Sequence, residues 1–323
     1  MEKRRLGKTD IEITPIGLGC WQFGQGGNFI ARFWSTLDQG VITDTVAAAL
    51  KNGISWFDTA EIYGGGKSEK ALAAALSSLK VRPGSAVIAT KWFPIFRTAK
   101  SIGATIHARV ECLSPYPIDL HQVHQPWSYS PISAQMKEMA ALVKAGRVRS
   151  VGVSNFSARQ MEEAHAALSS FGVPLASNQI RYNLLDRRIE TNGTLEAARR
   201  LGVTLIAYSP LAQGILTGRF HDDPQSARNV PRMRRMGGAY SEKSIQKTRP
   251  LIDELRAIAR AHGATVSQVA LNWTVSYNDA VVVAIPGASR SAHAEQSADS
   301  MGFKLSVREL ARIEELSRAV ARR

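Results

Sequence analysis

Polar side chains end nearly every apolar run of this chain, and they are of types that exchange protons or hold polar ligands. Asp58 closes "ISWFD", Lys91 closes "AVIATK" and His124 closes "IDLHQVH". Ser154 with Asn155, Gln179, Tyr208 with Ser209, and Gly287 stand at or near the ends of later runs. One acid in such a place is ordinarily a helix cap or an ion-pair partner. A series of them on runs that lie side by side is the pattern of a site. His121 shares a run with His124 and is an equal candidate on spacing alone.

After Asp58 the chain enters "AEIYGGGKSEKAL". The phosphate-loop pattern G-x-x-x-x-G-K-[ST] could end at Gly66-Lys67-Ser68, but its first glycine is replaced by Glu61. A carboxylate there would repel the phosphates that the loop's amides are meant to cradle. Ser68 is instead read as the N-cap of a helix, and the three glycines as a turn that lets the chain pass close to a site.

The elements that must position these residues repeat. Short β-branched runs begin near 54, 86, 118, 148, 176 and 203, with further runs at 14–19 and 281–287. Runs of this kind, apolar throughout and bounded by polar, Gly or Pro residues, are strands buried on both faces of a parallel sheet. Amphipathic stretches at 68–79, 133–145, 157–169, 191–201 and 251–262 lie between them. The step of about 27 to 32 residues is one βαβ unit, and eight such units close as a (β/α)8 TIM barrel, here one domain over 1–323. A doubly wound sheet would ask for G-x-G-x-x-G after the first strand, which "GLGCWQFG" matches poorly. "RRLGKTDIEI" predicts a β-hairpin capping the barrel bottom, and 209–250 a long loop after the seventh strand, at the active face.

The formal net charge of +14 admits nucleic acid, an anionic surface or an anionic small molecule. The cations are scattered; the denser places, "RNVPRMRR" at 228–235 and "ARR" at 321–323, lack interleaved aromatics for base stacking. They are read as a solvated basic surface, with no nucleic acid and no membrane among the partners. No apolar stretch approaches the length of a membrane helix and no apolar segment follows the early positive charges, so a cytoplasmic location is expected. Cys20 and Cys112 form neither a CxxC nor a Cys/His cluster, so neither a disulfide nor a metal is expected.

The motifs "FDTAEIYGGGKSE", "IATKW", "DLHQVHQP", "GVSNF", "SNQIRYNLL", "AYSPLAQGILTGR" and "IPGASR" occur in the order and spacing of the aldo-keto reductase family. The chain resembles that family along nearly its whole length. The resemblance implies a catalytic tetrad of Asp58, Tyr63, Lys91 and His124, and the reduction of aldehydes or ketones to alcohols by a nicotinamide cofactor bound without a Rossmann domain. Tyr63 would give the proton, helped by Lys91 and Asp58, and His124 would orient the substrate oxygen. Ser154, Asn155 and Gln179 would hold the carboxamide and Tyr208 would stack under the ring. Ser209, Leu211, Gln213 and Gly214 would follow the pyrophosphate. Ile285, Gly287, Ser289, Arg290 and Gln296 would surround the adenosine end, Arg290 on a 2′-phosphate. Trp21 and Asp58 would also border the cofactor.

NADPH is thus the implied cofactor. His293, Gln296 and Ser297 stand where family members often carry Arg, Glu and Asn, which leaves NADH open. Trp21, Trp92, Phe93, Trp127 and Tyr129 follow strand ends and are expected as pocket walls, with Tyr63 and His124, for a small-molecule carbonyl substrate. The chain stops at its last helix, so an open pocket is expected, in a monomer or small homo-oligomer. The family also includes potassium-channel β subunits, so a redox-sensing regulatory subunit with little turnover is the alternative.

Overall fold

A computed structural model of the chain describes residues 2–24, 37–235 and 238–321. The basic tail residues Arg322 and Arg323 lie outside them. Two strands, β1 (Arg4–Arg5) and β2 (Glu12–Ile13), pair antiparallel as the expected hairpin. Eight parallel strands follow: β3 (Leu18–Gly19), β4 (Trp56–Asp58), β5 (Val87–Trp92), β6 (Leu120–Val123), β7 (Ser150–Ser154), β8 (Leu175–Arg181), β9 (Thr204–Tyr208) and β10 (Val282–Ile285). They pair in sequence order, and bridges Ile16↔Ala284 and Gly19↔Gly287 join the first to the last. The sheet is a closed barrel, which leaves no unpaired edge.

Helices α1 (Gln39–Lys51), α2 (Lys67–Ser78), α3 (Lys100–Leu113), α4 (Ile132–Lys144), α5 (Ala158–Ser169) and α6 (Thr194–Leu201) ring the first part of the barrel. Then come α7 (Arg219–Asp222), α8 (Arg232–Arg235), α9 (Glu242–Ala261), α10 (Val266–Ser276), α11 (Ser291–Asp299) and α12 (Val307–Val320). Each barrel strand is buried on both faces, so it has two cores to serve. Residues such as Ile88, Val123, Val151 and Val153 face the helices, while Trp56, Ala89, Leu120, Ile206 and Val283 fill the interior.

The hairpin plugs the lower end of that interior. Leu6, Ile11 and Ile13 pack against Trp56, Leu120 and Ile206. Gly7 donates to Thr204 Oγ1 at the start of β9 at 2.7 Å, and Arg4 donates to the Val282 carbonyl at the start of β10 at 2.6 Å. With the bottom closed by apolar residues, the cavity is at the C-terminal ends of the strands.

Two local readings are corrected. Ser68 is not the cap of α2: Gly66, at φ 89, holds that position. Ser68 Oγ instead accepts from Thr59 Oγ1 at 2.8 Å and donates to the Cys20 carbonyl at 2.7 Å, tying the helix to the barrel rim. The 209–250 stretch is more than loop, since α9 begins at Glu242 and carries Pro250 inside it. A proline that late in an amphipathic pattern reads as a start signal, whereas packing on the core holds one continuous helix here. The remainder folds as short helical turns around a small cluster of its own, including Ile215, Phe220, Val230, Tyr240 and Ile245.

Candidate active site

At the C-terminal mouth of the barrel lies a cavity of ≈ 850 Å³. β4 delivers Asp58 to its floor and β5 delivers Lys91 beside it. Lys91 Nζ is fully buried, donates to Asp58 Oδ1 in a very short contact and donates to the Thr59 carbonyl at 2.8 Å. Asp58 Oδ2 accepts from Gln179 Nε2 at 2.8 Å and from Gln122 Nε2 at 3.2 Å. A buried charge is tolerable only when paired and hydrogen-bonded, and this carboxylate has both.

Tyr63 stands above the pair, on the turn in which Gly64, Gly65 and Gly66 all take positive φ. Side chains larger than glycine rarely enter that region, so the glycines permit the tight return into α2. Lys91 Nζ lies 5.2 Å from the Tyr63 ring centroid. Burial raises the phenol above its ordinary value, with Lys91 opposing it, so the phenol is held protonated at neutral pH. For Lys91, burial lowers the ammonium but Asp58 and Tyr63 outweigh it, and the net shift is upward. The ammonium stays charged.

His124 completes the group: its ring meets those of Tyr63 and Phe93 edge-on at 5.8 and 5.9 Å. Burial, and then Lys91, hold its imidazole well below the usual histidine value, so it is neutral. Its Nδ1 is buried without a protein partner. The competing His121 lies on the register opposite Thr90, is 1% exposed and borders none of the cavity. A strand alternates its faces, so the two histidines three residues apart are sent to opposite sides.

Ser154, Asn155, Gln179, Tyr208, Ser209, Leu211, Gln213 and Gly214 border the cavity, as do Ile285, Gly287, Ser289, Arg290 and Gln296. Trp21 does too, its ring 6.1 Å from that of Tyr63. Asn155, at φ 62, bridges two of these groups: its Nδ2 donates to the His124 carbonyl at 3.3 Å and its Oδ1 accepts from Tyr208 Oη at 3.0 Å. From 209 to 214, Ser209, Ala212, Gln213 and Gly214 all have positive φ. Strain of this kind persists only where surroundings impose it. Here Asn183 holds the Ser209 carbonyl at 2.9 Å, and Arg234 and Tyr240 hold the Gln213 carbonyl at 2.7 and 2.9 Å.

Three expected pocket walls are corrected. Trp92 is 1% exposed within the outer core, where its Nε1 donates to Ser101 at 3.0 Å. It follows Lys91 on the strand and so points the other way. Trp127, 65% exposed, and Tyr129, 70% exposed, stand on the surface and do not border the cavity.

Sequence reasoning missed Gln122, Arg181, Arg219 and Arg234, though not Arg290. Gln122 is the register partner of Lys91, and a lone amide on the inward-facing parity of an apolar run was its signal. Arg181, Arg219, Arg234 and Arg290 border the cavity toward β8, β9 and β10. Nothing in the periodicity of 209–250 marks Arg219 or Arg234, and the "RNVPRMRR" cluster read as solvated surface sends Arg234 to the site. Four cations on one side and uncharged rings on the other suit an elongated anion with an aromatic head. The two cysteines are free, and among the described residues there is no His/Cys/Asp/Glu group that could hold a metal. Nor is any helix among them long and apolar enough to cross a membrane.

Comparison with known proteins gives the family. Residues 15–318 match the Aldo/keto reductase family. An uncharacterized oxidoreductase of Mycobacterium tuberculosis is 35% identical over 95% of this chain and 90% of its own length. The chloroplastic pyridoxal reductase of Arabidopsis thaliana is 30% identical over 91% and 80%. Among solved structures, the glycerol dehydrogenase of Gluconobacter oxydans is 28% identical with a TM-score of 0.83, covering 99% of this chain and 97% of that one. A thermostable aldo-keto reductase solved with the inhibitor epalrestat is 30% identical with a TM-score of 0.78, covering 98% and 100%. The protein belongs to the aldo/keto reductase family.

Proposed function

We propose that the protein reduces an aldehyde or ketone to the alcohol with NADPH. The observation that carries this reading is the buried Asp58–Lys91–Tyr63 series ending at the cavity beside a neutral His124. The reduced nicotinamide supplies the hydride when bound. Tyr63 gives its phenol proton to the carbonyl oxygen, and Lys91 stabilises the phenolate left behind. Asp58 keeps Lys91 in place and charged, with Gln122 and Gln179 holding the carboxylate's second oxygen. His124, uncharged, offers a ring N–H to the substrate oxygen without competing for the proton.

The cavity fits the cofactor. Gly19 and Gly287 leave room where a side chain would strike the Ile285 carbonyl at 3.0 Å or Gln22 at 2.2 Å. Ser154, Asn155 and Gln179 would meet the carboxamide, Tyr208 the ring face, and Ser209, Leu211, Gln213 and Gly214 the pyrophosphate. Trp21 and Ile285 would flank it, and Ser289, Arg290 and Gln296 would meet the adenosine phosphate. The substrate would lie between Trp21, Tyr63, Phe93 and His124.

Purified protein with NADPH and a panel of aldehydes and ketones should consume the cofactor's near-ultraviolet absorbance. Binding of NADPH without consumption by any member would favour the regulatory-subunit reading. A parallel titration should show NADPH binding at least tenfold tighter than NADH, about the value of one desolvated charge-assisted contact. Equal affinities would remove Arg290 from phosphate recognition.

A further inference from the structure

His293 distinguishes the adenosine side of this cavity. It lies in the first turn of α11, half-buried, and borders the cavity with Ser289 and Arg290. Arg290 Nε donates to His293 Nε2 at 3.0 Å, the Ser289 amide donates to His293 Nδ1 at 3.5 Å, and Ser289 Oγ lies 3.3 Å from the same nitrogen. A guanidinium is always a donor and its contact is the shorter of the two, so Nε2 is assigned as the bare nitrogen of the neutral imidazole. His293 therefore gives Arg290 the acceptor that an anion would otherwise provide.

The charged groups acting on His293 are all cations. Arg290 faces it from its own loop and Arg219 from α7, and no group of α1 or α10, which pack on α11, acts on it among the described residues. One turn on stand Gln296 and Ser297, both uncharged; the Ser297 hydroxyl donates to the His293 carbonyl at 2.7 Å. Burial, then Arg290 and Arg219, keep the imidazole below its ordinary value. A dianionic phosphate here would reverse the balance. Arg290 would turn its Nε–H to the phosphate, Nε2 would be freed, and a proton on it would add a second charge-assisted contact.

We propose that His293 takes up a proton when the 2′-phosphate of NADPH is bound, so that NADPH binding is linked to pH and NADH binding is not. This rests on the cavity being the cofactor site. The sign follows from linkage: a histidine whose bound-state value exceeds its free-state value makes binding tighter at lower pH. Affinity for NADPH then falls as pH rises between the two values and levels off above the higher. The phosphate's own second ionisation, near pH 6, works oppositely, releasing about a tenth of a proton on binding at pH 7.

The test is calorimetric titration of the full chain with NADPH and with NADH at pH 7, in buffers of different ionisation enthalpy, with Kd followed from pH 6.5 to 8.5. Wild type should take up several tenths of a proton with NADPH and none with NADH, and its Kd for NADPH should weaken by about tenfold across the range. His293→Gln, which keeps an amide acceptor for Arg290 but cannot titrate, should bind NADPH with the uptake gone and the pH slope flattened. NADPH binding without uptake, equal uptake with NADH, or uptake retained in His293→Gln would each overturn the proposal. If neither cofactor bound, the cofactor-site reading would fall with it, a result distinct from tight binding without proton linkage.

Discussion

Tyr63→Phe should lower carbonyl reduction by about 10²–10⁴-fold, the usual contribution of a positioned acid, while NADPH still binds. The substitution removes one oxygen from a ring held by Trp21 and His124, so packing is kept and the proton source is lost. The effect should be confined to turnover. The pH profile adds a sign: burial holds the phenol protonated past its ordinary value, so the reducing direction should persist through neutral pH and fade only as the phenol ionises. Alcohol oxidation needs the phenolate and should rise with pH instead. Stopped-flow reduction and the reverse assay over pH 6 to 10 would read both. Unchanged turnover in Tyr63→Phe would assign the proton to another group.

Lys91→Met should both abolish reduction and destabilise the barrel, by about 3–5 kcal/mol, because it strands a buried carboxylate without its cation. Gln122 and Gln179 still donate to Asp58 Oδ2, but dipoles replace only part of a charge. The double variant Lys91→Met with Asp58→Asn should regain much of the lost stability in urea unfolding, since neither charge is then unpaired, yet remain inactive. A single variant as stable as wild type would mean that the ion pair is not what holds the barrel floor. Together the two substitutions separate the group that gives the proton from the groups that keep its surroundings charged.

Much of this was legible from the order of residues. Period and composition marked the eight buried strands, because a parallel strand covered on both faces needs apolar residues at nearly every position, and a polar residue at its end then stands out. Asp58, Lys91 and His124 were visible for that reason, and Tyr63 through the family resemblance of the motif that holds it. The hairpin was visible because alternation and a turn signal are local. Ser68 was misread because capping depends on the φ of its neighbours, which three glycines allowed to shift by two residues. Pro250 concealed the start of α9 because a local breaker signal was outweighed by packing.

What the sequence by itself determined was the barrel and its polarity, since these follow from periodicity and residue type, and it marked the residues proposed to exchange protons. Tertiary structure decided what those residues face: His124 rather than His121, Trp92 in the core rather than the pocket, Gln122 on the carboxylate, and Arg234 carried into the cavity from a stretch without periodicity. Facing depends on strand parity and on contacts between residues far apart in the chain, as between Asp58 and Gln179. Such contacts exist only once the barrel has closed.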